Sequence, residues 1–177
     1  IWDKSATRLA FFLLNANNNY IENFAKTLLE LKSNIGKCSD CWALLDKWKT
    51  KCNICSNKDR NSDLICVVEE YLDMLSIEQT GYYSWKYHIL GWAISPVNWV
   101  FIWDLNFEKL FERIWDSTHC ELIVATNPNI EGEATLQYIK EQIEKRGLKN
   151  KTTITRLSKW ISSGYIEYAD NISLRNS

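Results

Sequence analysis

Four cysteines carry the clearest chemistry in the chain. Cys38-Ser-Asp-Cys41 and Cys52-Asn-Ile-Cys55 are two C-x2-C pairs separated by ten residues. Together they offer the four thiolates of a tetrahedral zinc site, with Zn–S bonds of about 2.3 Å. A redox C-x-x-C rarely comes as a matched pair, so metal binding is expected over thiol exchange. Four thiolates fill the coordination shell, which makes the expected Zn2+ structural, one per chain. So short a polar segment cannot bury enough surface to fold alone, and metal binding then becomes part of its folding energy. Cys66 and Cys120 lie in or beside apolar runs and read as small buried hydrophobes.

A second set of candidate residues is acidic and amidic. Leu122-Ile-Val-Ala-Thr-Asn127-Pro-Asn129-Ile-Glu131-Gly132-Glu133 reads as a strand, a polar turn and a helix start. Sheets built from alternating strands and helices place ligands there, at the carboxyl ends of strands. The segment resembles the Toprim signature of topoisomerases and primases, an Asp-x-Asp-x-x-Gly turn after a strand. Val67-Val68-Glu69-Glu70 resembles the other Toprim element, a glutamate ending the first strand. In those enzymes the three carboxylates hold magnesium, whereas here both aspartate positions are amides, Asn127 and Asn129. Magnesium favours anionic oxygen ligands and gives up its waters reluctantly. Two neutral amides remove two charges from the site, and metal-assisted phosphoryl chemistry loses its template. Glu69, Glu70, Glu131 and Glu133 leave two readings open: a weak ion site, or for the last two, acidic residues favoured at a helix N-terminus. His88 has no nucleophile beside it and is expected to be a core or interface residue; His119 falls in a loop.

These residues need elements to position them. Ser5 can cap a helix running to residue 32, with Leu9, Phe12, Leu13, Phe24, Leu28 and Leu31 at helical spacing and a break at the polar tract Asn15 to Asn19. From Leu64 the pattern changes. Strands are expected at Leu64–Val68, Tyr87–Leu90, Leu122–Thr126, Thr152–Leu157 and Ile166–Tyr168, and helices at Tyr71–Gln79, Leu105–Asp116 and Glu133–Arg146. Such alternation predicts an α/β fold with small additions: a mostly parallel sheet covered on both faces.

Composition sets outer limits. With 177 residues, 46% hydrophobic and 24% charged, the chain can bury a core. A formal charge of −1 gives no global pull toward nucleic acid or anionic lipid, so any DNA binding needs a local basic surface. No stretch approaches the roughly 20 apolar residues of a membrane span, and no signal-peptide pattern opens the chain; a soluble, cytoplasmic protein without membrane contact is expected. The start at Ile1 and the end at Ser177, soon after an expected strand, read as trimmed.

With both elements and the cysteine pairs in hand, the chain resembles the RecR family of bacterial recombination mediators along nearly all its length. The resemblance is carried by Leu64-Ile-Cys-Val-Val-Glu-Glu70, Ile77-Glu-Gln-Thr-Gly81, Tyr87-His-Ile-Leu-Gly91, Ala93-Ile-Ser-Pro96, Ala125-Thr-Asn-Pro128 through Ala134-Thr135, and Ile166–Asp170. It implies residues 1–35 as part of a helix-hairpin-helix, 36–63 as the four-cysteine zinc module, 64–170 as a Toprim-like domain with a degenerate site, and 171–177 as a cut C-terminal tail. It further implies non-catalytic binding of single- and double-stranded DNA during repair of gaps and breaks. Assembly into a tetrameric ring and cooperation with RecO or RecF in recombinase loading are implied as well. Lys4 and Arg8 fall on the family's DNA-facing positions, and their i, i+4 spacing puts both on one helix face. Two other readings stay open: a magnesium-dependent Toprim nuclease or primase that uses the surviving glutamates, and a zinc-ribbon interaction module without a DNA role.

Nine tryptophans against six glycines invert the usual proportions. Trp2, Trp85, Trp92, Trp99 and Trp160 stand where RecR-like sequences carry glycine, in expected turns or at strand ends where positive φ or close backbone approach is needed. Either the host reads UGA as glycine and these five codons were translated as tryptophan, or the lineage has drifted to tryptophan. The first reading predicts that Trp92→Gly and Trp160→Gly stabilise the protein.

Overall fold

The computed structural model describes residues 3–157; the expected strand Ile166–Tyr168, the Ile166–Asp170 element, Trp2 and Trp160 lie outside the described residues. The asparagine tract separates α1 (Asp3–Asn15) from α2 (Asn18–Asn34). Asn17 caps α2 by accepting the Tyr20 N–H at 2.8 Å. Ser5 is not a cap: α1 begins two residues earlier, at Asp3, whose carboxylate suits the positive end of the helix. Neither helix buries a residue.

The cysteine region, with little apolar periodicity, forms a short antiparallel pair, β1 (Ile35–Lys37) with β2 (Leu44–Asp46), and one helical turn, α3 (Asn53–Ser56). The sheet follows: β3 (Asn61–Val68), α4 (Tyr71–Gln79), β4 (Trp85–Ile89), α5 (Phe107–Asp116), β5 (Cys120–Ala125), α6 (Ile130–Lys145) and β6 (Thr152–Arg156). Its order is β4-β3-β5-β6 and every pairing is parallel. Continuous apolar runs such as Leu64–Val68 suit strands that are covered on both sides.

The pleat sorts the core. Cys66, Val68, Tyr87, Ile89 and Ala125 pack on one face with Met74 and Ile77 of α4 and with Cys38, Cys41 and Ala43. Ile65, Val67, Leu122 and Val124 face the other way, onto α5 and α6. α5 is specified by Phe107, Leu110, Phe111 and Ile114, all buried, at the i, i+3, i+4, i+7 spacing of one helix face. It starts at Phe107 and not at Leu105, because Leu105 is extended at the end of a 3-10 turn. α6 starts three residues before the expected Glu133, because Asn129 caps it and accepts the Gly132 N–H at 2.7 Å. Cys66, Cys120 and His88 are fully buried. The chain leaves β3 toward β4 and then returns to the other side of β3 for β5, so the strand order reverses between the carboxyl ends of β3 and β5.

The three described tryptophans of the glycine set behave differently from one another. Trp85 opens β4, buried and stacked on Tyr83 with ring centroids 3.9 Å apart, and Trp92 lies half-exposed in the bend after that strand. Neither has a positive φ. Trp99 does, with φ 58° and ψ 31°, while its side chain is 81% exposed. The strain argument therefore applies at Trp99, not at Trp85 or Trp92. Left-handed backbone costs a non-glycine residue about 1 kcal/mol or more, and almost no burial is lost on truncation. Trp99→Gly is expected to raise Tm by about 2–4 °C in a thermal melt, with Trp92→Gly giving no comparable gain.

Candidate functional site

The two cysteine pairs meet at one point. Their four sulfurs lie within 4.8 Å of one another, and Cys41 Sγ and Cys52 Sγ are 3.6 Å apart. A tetrahedron of bonds about 2.3 Å long has edges of about 3.8 Å, so the cluster has the size of a tetrathiolate metal site. Three backbone N–H groups point at the sulfurs as they do in metal knuckles: Ala43 to Cys41 at 3.5 Å, Cys52 to Cys38 at 3.3 Å and Cys55 to Cys52 at 3.4 Å. Hydrogen bonds from Cys41 and Cys55 hold the Cys52 thiol down to about 2, whereas the bond to Cys52 pushes Cys41 well up. Cys38 and Cys41 are wholly buried against the sheet, and the Ile89 N–H donates to the Cys41 carbonyl at 2.9 Å. The first pair is thus joined to the edge strand β4.

At the carboxyl ends of the strands, where the strand order reverses, lies a cavity of about 350 Å³ lined by Glu69, Glu70, Asp73, Trp92, Asn127 and Glu131, among others. Glu69 is buried, and both of its oxygens are taken by Asn127: Oε1 accepts the backbone N–H at 2.8 Å and Oε2 accepts the side-chain amide at 2.5 Å. Burial raises the Glu69 carboxyl above its ordinary value, and the two bonds from Asn127 oppose that rise. Asn129 is occupied as the cap of α6. The Glu70 N–H is held by Asp73 at 2.8 Å, and Glu131 and Glu133 occupy the first turn of α6. A Cβ on Gly132 would stand 2.0 Å from the Asn127 carbonyl oxygen, so only glycine permits this approach of helix to turn.

The residues expected at this end of the sheet are therefore gathered, but Asn127 and Asn129 act as a donor to the carboxylate and as a helix cap. Three contributors escaped the sequence: Asp73, Arg156, which pairs with Glu133 at 2.6 Å, and Lys86, a buried cation in β4. Lys86 alone left a signal, a charge inside an apolar strand. His88 is buried beside Arg113 and belongs to neither set of candidates; its Nε2 lies 2.7 Å from the Asn106 carbonyl, and burial together with Arg113 pushes it down to about 3, so it is neutral. Lys4 and Arg8 are exposed on α1.

Residues 63–158 match the Toprim domain family. Fold and site thus define a Toprim domain mounted beside a four-cysteine cluster able to hold a metal ion. Over 172 residues the chain is 41% identical to Recombination protein RecR of Streptomyces avermitilis and 40% identical to that of Streptomyces coelicolor, which covers 97% of this chain and 83% of each relative. The chain belongs to the RecR family.

The raised Glu69 carboxyl has a sign that can be measured. The folded state binds this proton more tightly than the unfolded state, so its contribution to stability is full below about pH 4.3 and is lost as pH rises through the raised value. Glu69→Gln carries no such proton, and Asn127 can turn its amide to receive the new N–H. In thermal melts stepped upward from about pH 4, the Tm of Glu69→Gln minus that of the wild type should grow steadily. A constant difference would show that Glu69 does not titrate abnormally.

Proposed function

We propose that the chain is a non-enzymatic DNA-binding mediator of recombination in DNA repair, in the cytoplasm, holding one structural zinc ion in Cys38, Cys41, Cys52 and Cys55. The observation that carries the non-enzymatic reading is Asn127 seated on Glu69: its backbone N–H donates to one carboxylate oxygen and its side-chain amide to the other, where a magnesium ion would need to bind. Arg156, paired with Glu133, adds positive charge beside the same turn. The curated relatives are named for recombination, which supports the DNA role.

Lys4 and Arg8 are the proposed phosphate contacts, one turn apart on an exposed helix. Self-assembly, with a tetrameric ring as its proposed form, has its own support. Leu9, Phe11, Phe12, Leu14, Phe24, Leu28, Leu29 and Leu31 of α1 and α2 are all exposed, and a concentration of exposed large apolar side chains is a mark of interaction surfaces. RecO or RecF is the proposed partner. The proposed organisation keeps residues 1–35 for DNA and assembly, 36–63 for zinc, 64–170 for the Toprim-like domain and 171–177 for a tail.

Elemental analysis of purified protein should give one zinc per chain, and Cys41→Ser should lose it. The double variant Lys4→Glu, Arg8→Glu should weaken single- and double-stranded DNA alike, and the wild-type affinity should fall steeply with salt as counterions are released. Labelled DNA incubated with magnesium or manganese should stay intact. Metal-dependent turnover that Glu69→Gln abolished would instead establish the nuclease reading.

A further inference from the structure

Lys86 is the second residue of β4, and it is 8% exposed. Its ammonium has three N–H groups, and each finds a backbone carbonyl: Cys55 and Asn57 at 2.8 Å and Ile54 at 3.2 Å. Those three carbonyls belong to the end of α3, the single helical turn that carries Cys55, where the last carbonyls of a helix have no partner of their own. A side chain of the edge strand therefore fastens the second cysteine pair to the sheet, as the Ile89 N–H fastens the first.

The bonds account for the donors but not for the charge. No carboxylate among the described residues forms an ion pair with Lys86. A cation taken out of water this far is costly unless something negative stands near it. Four thiolates around a divalent ion carry two surplus negative charges, and the ammonium lies 2.8 Å from the carbonyl of one of the four ligand residues. Lys86 and Cys55 also line one common cavity with Lys109, Arg113 and the carboxylates of Asp40, Asp63 and Asp116, none of which forms an ion pair with Lys86.

We propose that Lys86 is a positioning residue and the counter-charge of the metal centre: it fixes the Cys52–Cys55 arm to β4 and offsets the surplus charge of the thiolates, so that the arm does not swing free and release its ion. This rests on the zinc reading of the cysteines. Partners outside the ligand set typically alter metal affinity by about 10- to 100-fold, and an effect of that size is expected here.

The experiment uses the full zinc-loaded chain. Zinc content of the wild type is measured first; no zinc there would defeat the metal reading itself, a different failure from the one at issue. Transfer of zinc to 4-(2-pyridylazo)resorcinol is then followed by absorbance for the wild type, Lys86→Met, Lys86→Gln and Lys86→Arg. A core truncation on the far face of the sheet, Leu110→Ala, controls for general loss of stability. Lys86→Met should bind one zinc and release it about 10- to 100-fold faster. Lys86→Arg, which keeps charge and donors, should stay near the wild type, and Leu110→Ala should lower Tm without speeding release. If Lys86→Met does not fold, the Gln and Arg variants decide: fast release with Gln and slow release with Arg support the proposal. Wild-type release from the Gln variant, or equal acceleration in the Arg and Leu110→Ala proteins, overturns it.

Discussion

A carboxylate buried at the carboxyl end of a parallel sheet has to be matched, and how Glu69 is matched governs much of the surrounding structure. A second carboxylate at position 127 would stand against it and require a cation between the two. An asparagine there reverses the electrostatics. Its backbone and side-chain N–H groups meet the two oxygens of Glu69, so the ends of β3 and β5 are bonded directly, without a metal. The turn this creates brings the Asn127 carbonyl so close to α6 that position 132 tolerates no side chain, and Asn129 is left to cap the helix. One amide therefore both closes the site as an ion-binding centre and fixes the start of α6.

The length of β4 answers to a different constraint. β4 is an edge strand, and an uncovered edge invites pairing with other chains. Here the cysteine region covers it, with the Cys41 carbonyl on the Ile89 N–H and the α3 carbonyls on Lys86. The cover fully buries only Cys38, Cys41 and Ala43, with Trp42, Leu45 and Ile54 partly buried beside them. A metal ion held by the four clustered thiolates would add the cohesion that a larger hydrophobic core supplies in a bigger unit.

How much of this was legible depends on the range of the interaction that decides it. α4 falls on its expected bounds, and α5 nearly so, because four core residues recur at helix spacing within ten positions. The sheet strands were visible as apolar runs for the same local reason. Ser5 was misplaced because a capping residue and an N-terminal helical residue look alike when the preceding turn is unknown. The β1–β2 pair and α3 left no pattern, since their geometry is imposed by the cysteines and not by periodicity. Asn127 was legible as the loss of a carboxylate but not as a donor, because its acceptor lies 58 residues away. Lys86 was legible in the same partial way, as a charge inside an apolar strand but not as a donor, its three acceptors being about thirty residues upstream on another element.

The contrast between the two halves of the chain bears on what the protein needs from its surroundings. The sheet and cysteine region meet their buried polar groups internally, with Asn127 donating to Glu69 and the carbonyls at the end of α3 accepting from Lys86. α1 and α2 do the opposite. They leave Phe11, Leu14 and Leu29 more than 60% exposed, along with the basic pair Lys4 and Arg8. The aromatic contacts of the two helices, Phe12 against Tyr20 and Tyr20 against Phe24, lie within the hairpin and do not cover that surface. Water penalises such a surface by roughly 25 cal/mol for each Å² that a partner could cover, whereas a Lys–Arg face is stable in water without one. The apolar side chains of α1 and α2 thus call for cover in a way the basic pair does not, even though Phe11 and Phe12 stand three and four positions after Arg8, on the same side of α1.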